Sequence, residues 1–221
     1  MADTKRKILF SALRLFAVYG YEAVSVSQIA GELGITKGAL YRHYKNKRDI
    51  FESIFKYVCQ LDVERSQNAG IPEKEFSEMP HSFGGTSLES LKKYMISQFY
   101  YWSKDEIACN FRKMLTLEQY KTAEMNALYQ KVLGSGPLEF IEDLFREMLK
   151  YRGYCEDAAK HMAVEFYSPF YLMLSICDAT SNQNEKKIIA DLYVAYVEQF
   201  MQKYSFLSYL EIERNKNETN Y

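Results

Sequence analysis

A chain of 221 residues, 48% of them hydrophobic, is long enough to bury one large core or two smaller ones. No apolar run approaches the roughly 18 residues that a membrane-spanning helix needs, so no membrane role is expected. The net charge of −1 conceals an asymmetry: residues 1–48 carry nine Lys/Arg against three acids, a net of +6, which leaves −7 for the remainder. A basic end on an acidic body fits a protein that offers one end to nucleic acid.

Lys5, Arg6 and Lys7 lead into an amphipathic segment rather than the continuous apolar core of a leader, so a cytoplasmic chain is expected. Cys59, Cys109, Cys155 and Cys177 lie far apart, with no C-x-x-C and no histidine at ligand spacing. They read as free thiols, and no metal or other cofactor is expected.

In chain order, Ile8, Ala12, Leu15, Phe16 and Tyr19 recur at spacings of three and four. They predict a first helix over about 3–18, ended by Gly20. Ser25-Val-Ser-Gln28 has the form of a capping box, and the short helix it opens turns Ile29, Ala30 and Leu33 inward. Gly34-Ile35-Thr36 then forms a tight turn. Glycine supplies the left-handed conformation and Thr36 caps a third helix, predicted over 37–44.

Two short helices joined by a glycine turn make a helix-turn-helix, here about residues 25–44, whose second helix enters the major groove. Thr36, Lys37, Gly38 and Ala39 then lie at its leading end. Lys37 and Arg42 suit guanine O6 and N7. Tyr41 and His43 suit phosphates, although a core aromatic and a capping histidine are the plainer readings of those two. Asn46 caps a fourth helix, whose N-terminus with Lys47 makes a phosphate clamp. Ser25 and Ser27, at the start of the second helix, complete the candidate DNA-binding set.

The stretch Leu40-Tyr41-Arg42-His43-Tyr44-Lys45-Asn46-Lys47 resembles the TetR family of bacterial repressors. In that family L-Y-x-H-F/Y-x-x-K closes the recognition helix and opens the fourth. Ala12, Phe16, Gly20, Ile29, Ala30 and Gly34 agree with the family's first two helices. Ser25 stands where threonine is common, which keeps the cap. The likeness covers about residues 4–58 and is specific. It implies that Tyr41 and Lys47 hold phosphates, with Lys37, Gly38 and Arg42 nearest the bases.

The body, residues 49–221, reads as helical throughout. The fourth helix, 47 to about 67, carries Ile50, Phe51, Ile54, Phe55, Val58 and Leu61 inward, and being continuous it can carry motion to the reader. Residues 68–85, holding two of the four prolines together with His81, form a loop. A helix from about Ser87 carries Leu88, Leu91, Met95, Phe99 and Trp102. The next, over 104–121, carries Ile107, Phe111, Met114, Leu115 and Leu117. Thr122 caps another, which meets Gly134-Ser-Gly-Pro137 as a kink or a break and ends at Arg152-Gly153. The last two helices, about 156–177 and 184–204, carry Met162, Phe166, Phe170 and Leu174, then Ile188, Ile189, Leu192, Tyr196, Phe200 and Met201. Pro169 predicts a kink in the first of them, and the tail past 205 is expected to fray.

The fold class is thus all-α: an N-terminal three-helix helix-turn-helix domain, 1–48, and a larger C-terminal helical domain, 49–221, for ligand binding and dimerisation. The broad apolar faces of the last two helices fit a four-helix bundle with a second copy, the arrangement the resemblance also implies, with Leu192, Tyr196 and Phe200 at the interface. The resemblance places a small-molecule effector among the middle helices. Phe99, Trp102, Phe111, Met114, Glu118, Phe166 and Phe170 are the candidate pocket, each with plain core as its alternative.

The function expected is a ligand-responsive regulator, a repressor that binds a palindromic double-stranded operator as a homodimer and is released by a small apolar or aromatic effector. Control by a partner protein, or activation of transcription, is the alternative. No catalytic residue is expected. The remote alternative of an all-α enzyme with a carboxylate–histidine metal site needs Glu-x-x-His pairs on facing helices.

Overall fold

A computed structural model describes residues 2–68, 87–149 and 157–205. Most of the 68–85 loop, with His81, the Arg152-Gly153 stop, Cys155 and the tail past 205 lie outside the described residues. Within them the regular elements are ten α-helices: α1 (Ala2–Tyr19), α2 (Val26–Glu32), α3 (Lys37–Tyr41), α4 (Lys47–Asn68), α5 (Leu88–Lys104), α6 (Glu106–Glu118), α7 (Ala123–Leu133), α8 (Ser135–Leu149), α9 (Ala158–Ala179) and α10 (Gln183–Lys203). Contacts divide the chain into two compact units, residues 1–64 with 104–133 and residues 65–103 with 134–221. This differs from a division at 48/49. The apolar face of α1 needs more cover than α2 and α3 provide, and its most extensive partner is α6.

In the first unit, α1 buries Ile8, Ala12, Leu13 and Phe16 completely or nearly so, and α6 buries Phe111, Met114 and Leu115. Two residues at inward positions by spacing face solvent instead: Tyr19 is 62% exposed and Leu117 44%. The reason at Tyr19 is local. Gly20 adopts a left-handed φ of 80° and turns the chain. Tyr21 therefore closes the core, meeting Phe16 and Phe51 edge-on at 5.3 and 5.2 Å. On α4, Ile50, Phe51, Ile54 and Val58 are buried as their spacing requires.

The third helix is shorter than its pattern, ending at Tyr41 with Arg42 as C-cap. The amides of His43 and Tyr44 both bond the Leu40 carbonyl, which tightens the exit before Asn46 caps α4. Thr122 caps α7 through its hydroxyl, which accepts from Met125 N at 3.1 Å. The Gly134–Pro137 segment is a break, because α7 stops at Leu133 and α8 starts at Ser135. Pro137 is then the third residue of α8, where the missing N–H leaves no ladder bond unmade.

In the second unit α5 buries Leu88, Leu91, Met95, Phe99 and Trp102, its predicted stripe. Two aromatic clusters organise the remainder. Phe166 lies 4.6 Å from Phe200 and 5.8 Å from Phe145, and Phe200 lies 4.6 Å from Tyr204. Phe99, Tyr193, Phe170 and Tyr167 form the other. On α10 the buried positions are Ala190, Tyr193, Val197 and Phe200. Ile188 and Leu192, inward by one reading of the pattern, are 66% and 58% exposed. Phe200, a candidate for the dimer interface, belongs instead to its own unit's core, 2% exposed. Its ring is enclosed by Phe145 and Phe166 and cannot also face a second copy.

Pro169 lies within α9 and has no N–H to offer the carbonyl of Glu165 one turn back. That carbonyl is satisfied from the neighbouring helix, by the hydroxyl of Tyr196. The Glu165 carboxylate in turn accepts from Lys203 Nζ at 2.7 Å and from the Tyr204 hydroxyl at 2.9 Å, so one residue ties α9 to α10 twice. Tyr196→Phe is expected to cost about 1–3 kcal/mol by orphaning the Glu165 carbonyl. In a Pro169→Ala background, where the alanine supplies the missing amide, the loss should shrink toward zero, as read in a double-mutant cycle by urea unfolding.

Candidate nucleic-acid interface

The reader is built from turn chemistry. Ser25 Oγ accepts from Gln28 N at 3.2 Å while Gln28 Oε1 accepts from Ser25 N at 2.7 Å, a reciprocal capping box that starts α2. Gly34, with φ of 64°, makes the turn. Thr36 Oγ1 accepts from Ala39 N at 3.1 Å and starts α3. Asn46 Oδ1 accepts from Asp49 N at 2.8 Å and starts α4. Helix α1 is fastened to α2 by Arg14 and Ser11, which donate to the two carboxylate oxygens of Glu32 at 2.8 and 3.0 Å. It is fastened to α4 by Arg6, donating to the Tyr57 hydroxyl at 2.9 Å.

Of the ten candidate DNA-binding residues, Ser25, Ser27, Thr36, Lys37, Gly38, Tyr41 and Arg42 are exposed, and Ala39, His43 and Lys47 half-buried. Lys37 Nζ lies 5.8 Å over the Tyr41 ring, so a donor and an aromatic share one face of α3. Tyr41 is not a core residue; Tyr44 is. Its hydroxyl donates to the Lys5 carbonyl at 3.1 Å, and burial pushes its pKa up to about 12. Gly38 has no intramolecular reason to be glycine. A Cβ there would meet only Thr36 Oγ1, at an ordinary 3.9 Å. The face of α3 at Gly38 is thus open.

Lys47 turns inward more than a phosphate clamp would. Its ammonium donates to the carbonyls of Tyr21 and Glu22 at 2.8 and 3.3 Å and lies 4.3 Å over the Tyr21 ring. On the other side of the same corner, Glu118 at the end of α6 accepts from Tyr21 N at 2.8 Å and from Lys121 Nζ at 2.9 Å. The Glu118 side chain is 2% exposed. A Cβ on Gly20 would fall 2.9 Å from Glu118 Oε1 and 3.0 Å from Lys121 Nζ. Glycine at 20 thus serves both the left-handed turn and the approach of this carboxylate. Arg48, beside Lys47, pairs with Glu124 of α7 and with Glu52. Its bonds to those carboxylates push its pKa up, and the Arg48 bond holds the Glu124 carboxyl below its ordinary value.

Glu118, a candidate for the effector pocket, is therefore a backbone anchor of the reader, and Phe111 and Met114 lie with it in the first unit. Phe99, Trp102, Phe166 and Phe170 lie in the second unit, where Phe99 meets Phe170 at 5.9 Å and Phe166 joins the other cluster. Spacing alone does not single out Tyr21, Lys121 or the Arg48–Glu124 pair. The signal for the first was the glycine before it, since a residue following a left-handed turn changes face. Among the described residues no group of three or more His, Cys, Asp or Glu is placed to hold a metal ion, and no helix is long and apolar enough to cross a membrane. One Glu-x-x-His spacing, Glu78 to His81, lies outside the described residues.

Residues 8–54 match the model of the bacterial regulatory proteins of the tetR family. Residues 8–54 are thus those of a TetR-family DNA-binding domain. The chain is 34% identical over 94 residues to the transcriptional regulator AcrR of Shigella flexneri, a match spanning 42% of this chain and 39% of AcrR. It is 26% identical over 158 residues to the TetC protein of transposon Tn10 from Escherichia coli, spanning 66% of this chain and 75% of TetC. Apart from TetC, the first relatives are matched over half of their length or less. The structure of SmeT in complex with triclosan superposes with a TM-score of 0.64 over 91% of each chain; at 17% identity that likeness is one of fold.

Gly38→Ala should stabilise the TetR-type reader by up to about 1 kcal/mol in thermal unfolding. It should at the same time weaken binding to every DNA sequence tested, because the added methyl occupies the space left for the backbone to approach.

Proposed function

We propose that the chain is a cytoplasmic, ligand-responsive transcriptional repressor, a homodimer that binds a palindromic operator through α3 and leaves it when a small apolar or aromatic effector enters the helical body. The observation that carries this reading is the corner at Gly20–Tyr21. The reader is not a free appendage: α6 holds its backbone through Glu118, α4 through Lys47, and α7 holds α4 through Arg48–Glu124. A displacement of α6 would be felt at the α1–α2 corner, which sets the position of α3. Allosteric coupling of about 1–3 kcal/mol is the usual scale for such a device. The SmeT–triclosan complex and a Bacillus subtilis FadR with stearoyl-CoA, two proteins of the same fold, support an apolar effector class.

Pairing of two copies is supported by the outer faces of α9 and α10. Val164, Tyr171, Leu172 and Ile176 of α9 and Ile188 and Leu192 of α10 are all more than two-fifths exposed. An open apolar groove of about 350 Å³ where α9 turns into α10, with Ile176, Ile188 and Ile189 in its walls, continues the stripe. Exposed apolar residues gathered on one face support a contact with a second copy. In this reading Leu192 stays at the two-fold and Phe200 gives place to Ile188. Two readers so joined would address half-sites about one DNA turn apart, roughly 34–36 Å, or more.

Selection of bound duplexes from a random pool, followed by a screen for small molecules that release the selected DNA, tests the whole reading. A palindromic consensus and at least one releasing compound are expected; an asymmetric single site would sink the dimeric operator. Glu118→Ala should leave the selected consensus unchanged but reduce the drop in affinity caused by the releasing compound. Leu192→Glu should sediment as a monomer with its helical circular dichroism retained.

A further inference from the structure

Tyr193 is completely buried in the second unit, and among the described residues its hydroxyl has no hydrogen-bond partner. Its ring stacks on Phe99, centroids 4.3 Å apart and planes 20° from parallel, and meets Phe170 edge-on at 5.8 Å. Phe170 stacks in turn on Tyr167 at 5.6 Å. A phenylalanine would fill the same space without leaving a buried donor unmet, so the hydroxyl is a cost to folding with no return among the described residues. Burial drives the phenol far above its ordinary pKa, and the titratable groups acting on it are two further phenols, Tyr167 and Tyr196. The group is therefore a neutral O–H donor. The Tyr196 hydroxyl gives its own proton to the Glu165 carbonyl and does not lie within bonding distance of the Tyr193 hydroxyl.

The wall of this cluster is the weakest part of α9. Tyr167 and Phe170 bracket Pro169, where the helical ladder lacks a bond, and Ser168 Oγ bonds back to the Val164 carbonyl at 2.6 Å. Helices bend at such places. The turn that carries the two rings can thus part from Phe99 with less disruption than an intact turn.

We propose that this cluster is the effector site of the second unit and that Tyr193 is its polar anchor. The ligand class is a neutral, flat aromatic molecule with one hydrogen-bond acceptor, a carbonyl or ether oxygen. It enters between Phe99 and the Tyr167–Phe170 turn and accepts from the Tyr193 hydroxyl. This assignment rests on reading the helical body as the effector-binding part. An anion does not suit the site, because ring faces are electron-rich and supply no counter-charge for the hydration it would lose, and a cation makes no use of the O–H donor.

Benzophenone and diphenylmethane, which share two rings and differ in the carbonyl, test the anchor by calorimetric titration of the full-length protein. The wild type is expected to bind benzophenone about three- to tenfold tighter, the scale of one hydrogen bond. Tyr193→Phe should bind both alike and unfold at a temperature no lower than the wild type. Irradiated benzophenone should label Phe99 or the 167–170 peptide. Equal binding of the two probes by the wild type, binding of neither, a preference that survives in Tyr193→Phe, or a lowered melting temperature each overturns the anchor. If any of these occurs while a compound from the release screen still frees the operator, the anchor falls and the effector reading stands. If no compound frees the operator, the effector reading itself falls.

Discussion

One buried carboxylate sets the position of the reader. Glu118 Oε1 accepts from Tyr21 N at a point where the chain has just turned through a left-handed glycine. A carboxylate taken out of water is tolerable only when its oxygens are met by donors, and bonds to a charged acceptor are the strong ones. Here the donors are a backbone amide of the helix-turn-helix corner and Lys121. Lys47 holds the carbonyl side of the same two residues. The corner is thus gripped through its main chain from α6 and from α4. Substitutions of nearby side chains leave those bonds in place, whereas a side chain at position 20 collides with the grip itself.

Much of the reader is legible in the sequence because its folding rules are local. Ser25 with Gln28, Gly34, Thr36 and Asn46 each act within four residues, and each cap forms as its spacing says. The α5 stripe is legible for a related reason: a single apolar face leaves one register to choose. On α10 two registers compete. Ile188, Leu192 and Tyr196 compete with Ala190, Tyr193 and Val197, and both fit a helical period. Only the presence of Phe99 and Phe170 decides that Tyr193 is the one enclosed. Glu118 shows the deeper limit. Its partner amide is 97 residues away, and no local pattern distinguishes a carboxylate that holds a backbone from one that awaits a ligand.

The same distance effect redraws the boundary between the parts. By composition the basic segment ends near residue 48, yet α6 and the whole of α7 group with it, because α1 packs on α6 and α6 in turn packs on α7. Helix α4 begins in the first unit and its last turn, from Arg65, belongs to the second. The second unit has its own internal logic. Pro169 opens a gap in α9 that Tyr196 closes from α10, while Tyr193, one turn earlier on α10, has nothing to close. Two phenols three residues apart therefore differ in status: one is structurally committed, and the other is unmet among the described residues.

The fastenings of the reader also differ in their exposure to ions. Glu118 is almost wholly buried, whereas Arg48 and Glu124 are 39% and 57% exposed at their side chains. Mobile ions screen the second link and barely touch the first, since screening acts through solvent. Raising ionic strength thus loosens the α4–α7 link, and in the proposed reading it also strips phosphate contacts from the DNA. A plot of log affinity against log salt for this protein contains both processes. Its slope counts more than phosphates, and the contribution of the link can be separated by following salt dependence in the DNA-free protein.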